Sequence, residues 1–269
     1  MSQTKAQLIA VDATFTLSND ATINSITVGK GANSVQGNTA LGENALDGSV
    51  TGINNTAVGS NTLTTNTSGQ RGVAVGVSAL RLNTTGTDNV AVGVSALDNN
   101  TTGSQNTALG RFTLGVNTTA SNNTAVGYFA LSANTTGADN TAVGSGALDA
   151  NTTGQYNTAV GRDALGANIT GTHNTAVGYN SLDANTTGTF NAALGLGTLG
   201  TNTTGQQNTA IGTLALQSNT TGGYNTAVGK DALRLNTSGE FNSGFGIYSL
   251  QSNTTGNFNT GVGADSLGN

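Results

Sequence analysis

The sequence predicts an all-β fold: a parallel β-roll, or β-solenoid, built from coils of 17 residues. Three observations carry the prediction. A tandem repeat of constant length starts at Asn38 and continues to Asn269. Its unit is too short for a helical pair or a propeller blade. Glycine recurs at two places in nearly every unit, next to an Asn-Thr-Thr run that forms helix poorly.

The unit reads N-T-A-V-G-x-x-A-L-x-x-N-T-T-G-x-x, with positions numbered 1 to 17. Copies begin at Asn38, Asn55, Gly72, Asn89 and every seventeenth residue thereafter up to Asn259, without insertion or deletion. Thirteen are complete, and the fourteenth has eleven residues. Position 5 is Gly and position 9 is Leu in all fourteen. Position 4 is Val, Leu, Ile or, once, Phe245, and position 3 is Ala until Gly244 and Gly261. Such fixed phase means that each position meets the same surroundings in every copy, so the coils stack on one another. A disordered low-complexity chain shares the scarcity of aromatics but has no reason to keep Leu, Gly and Val in step.

The elements follow in chain order. Residues 1–37 lie outside the repeat register. Thr14–Ser18 alternates like a half-buried strand, and Asn24–Gly29 reads as a variant of the strand-and-glycine element. The segment is expected to cap the first coil or to attach to a partner. In each coil, T-A-V is a short strand with Thr and Val on one face and Ala on the other. Gly at position 5 turns the chain, A-L makes a second short strand, and N-T-T-G is the return turn. At a stacking distance of ~4.8 Å the array makes a rod of about 65 Å. Val at position 4 and Leu at position 9 are expected to form apolar columns, and Asn at positions 1 and 12 to form amide ladders. The array stops inside a coil, which predicts a bare strand edge. Ordering each residue costs about 1–2 kcal/mol, so a coil with so few apolar side chains calls for self-association. The small, constant Ala column at position 3 reads as the seam where a second copy approaches.

Composition narrows the chemistry. The chain has 269 residues, net charge −5, no cysteine, no proline, no tryptophan and one histidine. Without cysteine there is no disulfide scaffold and no thiol enzyme. Without proline there is no collagen. The acidic balance argues against nucleic acid as a partner. No apolar run approaches a membrane span, and the first residues lack the pattern of a secretory signal. The expectation is therefore no membrane insertion, and synthesis and release without the secretory route.

No constellation of catalytic groups is evident. His173 stands at position 17, where flanking coils carry Tyr156 and Phe190, and reads as a substitute for an aromatic. Asp47, Asp98, Asp149 and Asp183 share position 10, three, three and two coils apart. Those steps are about 14, 14 and 10 Å, whereas glycosidase pairs need roughly 5–9.5 Å. Arg71 with Asp88, and Arg81 with Asp98, are one coil apart and predict cross-coil ion pairs. No phosphate loop and no calcium-binding nonapeptide is present. Hence no catalytic residue, cofactor or metal is expected. Among the aromatics, Tyr156, Phe190, Tyr224, Phe241 and Phe258 at position 17 share strand parity with Val, which favours packing. Phe112, Tyr128, Phe129, Tyr179 and Tyr248, at positions 6 or 7, are the candidate receptor or glycan contacts.

The repeat resembles the N-S-V-A-I-G-x-x-S-x-A repeat of trimeric autotransporter adhesin heads, most closely at Gly72–Gly76 and Asn89–Gly93. The longer N-T-T-G return turn is similar to arrays in fibre and structural proteins of tailed bacteriophages, notably cyanophages. The resemblance covers residues 24–269 and implies a left-handed parallel β-roll packed side by side as a homotrimer. No coiled-coil stalk or membrane anchor accompanies the repeats, a departure from the autotransporter pattern. The function so implied is structural and adhesive: a phage tail fibre or spike-like virion rod. It is made in the host cytoplasm, joined to a virion attachment protein through residues 1–37, and directed at a host receptor or glycan by its array, residues 38–269. The alternatives are a bacterial cell-surface trimeric adhesin, an ice-binding solenoid and a self-assembling filament. Ice binding is disfavoured at this stage because the repeated threonines fall in turns or on the face assigned to the core.

Overall fold

The computed structural model describes residues 21–23 and 26–267, and within them the chain is an all-β parallel solenoid. The strand expected at Thr14–Ser18 lies outside the described residues. One sheet contains all sixteen described strands in chain order. β1 (Ala21–Ile23) and β2 (Ile26–Gly29) form an antiparallel hairpin. β2 then pairs antiparallel with β3 (Thr39–Gly42), the strand of the first coil. From β3 onward every pairing is parallel, with one strand per coil, through β4 (Thr56–Val58) and β9 (Thr141–Val143) to β16 (Thr260–Val262). The register is one unit throughout: Ala40 faces Ala57, and Ala142 faces Ala159. Ile26–Gly29 does form a strand ending in glycine, but it is antiparallel to the strand of the first coil. It runs opposite to the coils and closes the parallel register at the first of them.

Two expectations about the coil are corrected. First, A-L is not a second strand. Leu at position 9 adopts left-handed backbone in every described coil, with φ between 48° and 53°. Positions 7 and 17 are left-handed as well, as at Asn61 and Arg71. Seventeen residues must close a full circuit, and a second extended segment would leave too few residues to turn the corners. The cost of left-handed backbone in non-glycine residues is offset at position 9 by burial, since Leu46 through Leu233 are all but inaccessible.

Second, the strand faces are reversed. Ala at position 3 points into the coil and is buried from Ala40 to Ala227, while Val at position 4 points outward. The interior is filled by Ala at position 3, by Ala, Ser or Thr at position 8 and by Leu at position 9. A coil this thin has room for one methyl opposite each Leu, and a branched side chain there would overfill it. The Ala column is therefore core, not a seam between copies.

The amide ladders form as the spacing predicts. At position 12, Asn83 Nδ2 donates to Asn66 Oδ1 of the preceding coil at 3.0 Å and to Gly86 O of its own coil at 3.0 Å. At position 1, Asn157 donates its backbone N–H to Asn140 Oδ1 at 3.0 Å and its Nδ2 to Gly171 O at 2.9 Å. These asparagines are fully buried in most coils, so the ladders satisfy groups that water cannot reach. Thr at position 13 adds a third file, its hydroxyl and its N–H both donating to the next coil's carbonyl, as from Thr101 to Thr118 O at 3.0 and 2.8 Å. Gly at position 5 is required by stacking. Gly144 has φ +141°, and a Cβ on it would sit 2.3 Å from the Gly161 carbonyl oxygen of the next coil.

Candidate functional site

Three surfaces of the solenoid carry side chains that do not serve the core. The first is the outer face of the sheet. Leu41, Val92, Leu109, Val143, Val160, Leu194, Ile211 and Phe245 at position 4 are each 37–49 % exposed. They alternate along each strand with position 2, Thr or Val except at Ala192 and Ser243, also at least partly exposed. The result is an outward face of threonine and aliphatic side chains running the length of the array. Sequence reasoning missed it, although the small residue flanked by two larger ones in T-A-V is the signal for a narrow interior.

The second surface is the position-17 edge. Tyr156, His173 and Phe190 stack with ring centroids 4.9 and 4.7 Å apart, and Tyr224, Phe241 and Phe258 stack at 4.7 and 5.1 Å. Gln207 interrupts the file between the two runs, its Nε2 reaching Tyr224 Oη at 3.4 Å. His173 does take the place of an aromatic in this file. The rings lie in the open, at 41–76 % exposure for the tyrosines and phenylalanines, because left-handed backbone at position 17 turns them away from the sheet. The parity argument fails in its premise, since Val at position 4 is not in the core, and within the single chain these rings are not buried.

The third surface is the corner made by positions 6, 7, 10 and 11, where the five candidate contacts lie. It brings three of them together. Phe112 and Phe129 pair at 5.2 Å, Tyr128 packs edge-on to Phe129 at 4.4 Å, and the Arg111 guanidinium sits 4.5 Å above the Phe112 ring. Tyr128 and Tyr179 are exposed, and Phe112, Phe129 and Tyr248 are half-buried. Tyr179 and Tyr248 stand apart from the trio, each beside a cation of the preceding coil: Arg162 at 5.8 Å and Lys230 at 5.7 Å.

Where position 10 is glycine, this corner opens. Over Gly115 lies a cleft of about 500 Å³ lined by positions 7, 10 and 11 of three successive coils. Over Gly200 lies a second, of about 250 Å³, that includes Tyr179, Asn180 and Asp183. Over Gly166 the space is taken by carboxylates. Asp183 Oδ1 and Asp149 Oδ1 approach to 2.9 and 3.7 Å of where a Gly166 Cβ would sit. The two side chains lean toward each other across the empty position, so they come closer than two coil spacings imply. Burial, with the charge of Asp163 as a smaller contribution, raises the pKa of both Asp149 and Asp183 above the ordinary carboxylate value. Among the described residues no group of three His, Asp or Glu is arranged to hold a metal ion, and no helix is long and apolar enough to cross a membrane.

Both expected ion pairs are present. Arg71 grips Asp88 through Nε at 2.6 Å and Nη2 at 2.8 Å, and Arg81 Nε meets Asp98 Oδ1 at 2.7 Å. The Arg71 contact lowers the Asp88 pKa. No known protein family, curated protein or solved structure matches the chain.

Proposed function

We propose that this chain is a structural and adhesive rod, a homotrimeric phage tail fibre or spike-like virion protein whose array contacts the host surface. One observation carries the reading: the outward Thr/Val face, an apolar stripe from Leu41 to Phe245 on a chain with only 8 % charged residues. A repeated line of exposed aliphatic side chains of this kind suits an association surface. Its regular strand spacing matches a second copy of the same chain lying alongside. Three left-handed coils meeting through these faces, the arrangement implied by the resemblance to adhesin heads, would bury the stripe and leave the corner and the position-17 edge outside. Residues 1–37 would join the rod to a virion attachment protein. Many weak contacts from three identical chains would then act together through effective concentration. A bacterial cell-surface adhesin is the same device on a different support.

The test is absolute mass by light scattering for the parent and for Val143→Lys combined with Val160→Lys. The expected result is a species of three chains for the parent and a folded single chain for the variant. A parent that remains a folded monomer refutes the proposal.

A second reading has an observation of its own. Thr at position 2, on Thr56, Thr107 and Thr124, points outward rather than into the core, so a regularly repeating Thr/Val face is available to ice on a monomer. Absence of thermal hysteresis removes it.

A further inference from the structure

We propose that the cleft over Gly115 is a saccharide-binding site that takes a neutral sugar of a surface polysaccharide. The inference deepens the adhesive reading and rests on it for its biological setting.

The cleft exists because one coil lacks a side chain where its neighbours carry Asp98 and Ser132. Its apolar surface comes from Phe112, Phe129 and Val116, and its polar rim from Ser95, Asp98, Asn99 and Ser132. Arg111 and Tyr128 contact the two phenylalanine rings but do not line the cleft, so they brace the pair from outside. Arg81 Nε holds Asp98 Oδ1 at 2.7 Å, fixing the carboxylate in the wall before any ligand arrives. At about 500 Å³ the space is of the size that holds a small organic ligand.

A pyranose matches this lining in both of its aspects. Its C–H face is apolar and packs on aromatic rings, and its hydroxyl edge both donates and accepts. Donation suits the Asp98 carboxylate, the Asn99 carbonyl and the Ser132 hydroxyl oxygen, whose own proton goes to Asp149 O at 3.3 Å, and acceptance suits the Ser95 hydroxyl. Asp98 is the one charged group among the lining residues, and its pairing with Arg81 leaves the wall without net charge, which suits a neutral ligand.

The second cleft repeats the scheme. It lies over Gly200 at the same corner, five coils or about 24 Å along the rod. Tyr179 supplies the ring, and Asp183, Asn180, Thr201 and Gln217 supply the polar groups. Asn180 has a buried Oδ1 with no hydrogen-bond partner. Two clefts in one line suit a polymer laid along the rod, which would gain from both at once.

The test uses the full-length chain with its phenylalanines isotopically labelled, titrated with cello-, malto- and chitohexaose and with an anionic hyaluronan fragment. Gly115→Gln is the informative variant. A Cβ at Gly115 meets nothing closer than Phe112 O at 3.3 Å, and glutamine already occupies position 10 at Gln217 and Gln251, so the variant folds. Expected are ring shifts of Phe112 and Phe129 with at least one neutral hexaose, and a loss of about tenfold or more in affinity for Gly115→Gln. Phe129→Ser, which copies Ser95 of the preceding position-7 file, should lose a similar factor. No shift with any neutral sugar, or shifts that survive Gly115→Gln unchanged, overturns the proposal. So does tighter binding of the hyaluronan fragment. Light scattering on the same samples separates the cases: a trimer that binds no sugar refutes the cleft alone, whereas a monomer refutes the rod.

Discussion

Gly72→Asn tests whether the amide ladder sets the stability of the array. In the other coils the position-1 backbone N–H donates to the Oδ1 of the preceding asparagine, as Asn106 does to Asn89 at 3.0 Å. In the coil that follows Gly72 no such oxygen exists, so the Asn89 N–H lacks that acceptor. Gly72 does not need left-handed backbone, and a Cβ there would lie 3.0 Å from Asn55 Oδ1 and no nearer than 3.9 Å to any other atom. An asparagine would accept from Asn89 and donate to Gly86 O, as Asn89 Nδ2 donates to Gly103 O at 2.8 Å. Two net hydrogen bonds contribute about 1 kcal/mol each, and removing a glycine from the unfolded chain adds about 0.4–1 kcal/mol. A shift of a few tenths of an ångström at Asn55 takes back a fraction, leaving a gain of about 2 kcal/mol. Amide hydrogen exchange reads this locally. Protection of the Asn89 N–H should rise about 30-fold, since 1.4 kcal/mol is tenfold. Unchanged protection together with an unchanged or lower denaturation midpoint would refute the ladder argument, because the fold would then be indifferent to a bond it makes in nearly every coil.

Other outcomes follow from the same geometry. Asn151→Ala removes a donor to Asn134 Oδ1 at 2.9 Å and an acceptor from Asn168 Nδ2 at 2.8 Å, while Gly154 O keeps Asn140. A loss of about 2–4 kcal/mol in chemical denaturation is expected. Ala142→Leu overfills the interior and should cost about 1–3 kcal/mol without changing oligomer mass, which separates core from seam. Asp149→Asn should raise the melting temperature at neutral pH. Because the folded pKa of Asp149 is raised, its protonated form is the one the fold favours. Its contribution is fully present below the ordinary value of 3.8 and is lost as pH rises through the folded pKa. Parent and variant melting curves should therefore converge on acidification to that range. Arg71→Ala, at an exposed pair, should leave the denaturation midpoint where the parent's lies.

Much of this architecture is legible in the repeat. The period gives the one-coil offset, and invariant Gly at position 5 and Leu at position 9 give a turn and a core column. Asn at positions 1 and 12 gives the ladders, and Arg71 with Asp88 gives a cross-coil pair. What misled was treating hydrophobicity as depth. Val143 is more apolar than Ala142, yet a coil with a single strand has space only for the methyl, and volume decides which side faces in. The same bias assigned Phe190 and Tyr224 to packing, because alternation along a strand does not continue through the left-handed residue at position 17. Of the candidate contacts, Phe112, Tyr128 and Phe129 do converge. The cleft beside them was signalled by an absence, Gly115 at a variable position, which reading by residue chemistry passes over.

The ladders also have a direction. In both asparagine files the donor belongs to the later coil and the acceptor to the earlier one, as from Asn83 to Asn66 and from Asn157 to Asn140. The amide dipoles therefore align along the axis instead of cancelling, and each polarises the next. A finished coil presents ready oxygens on its C-terminal side, spaced for the N–H and Nδ2 of the coil to come. In these two files, growth from the N-terminal end, the order in which a ribosome releases the chain, meets acceptors already in place. The threonine file of position 13 runs the other way, its donors waiting for the carbonyl of the next coil.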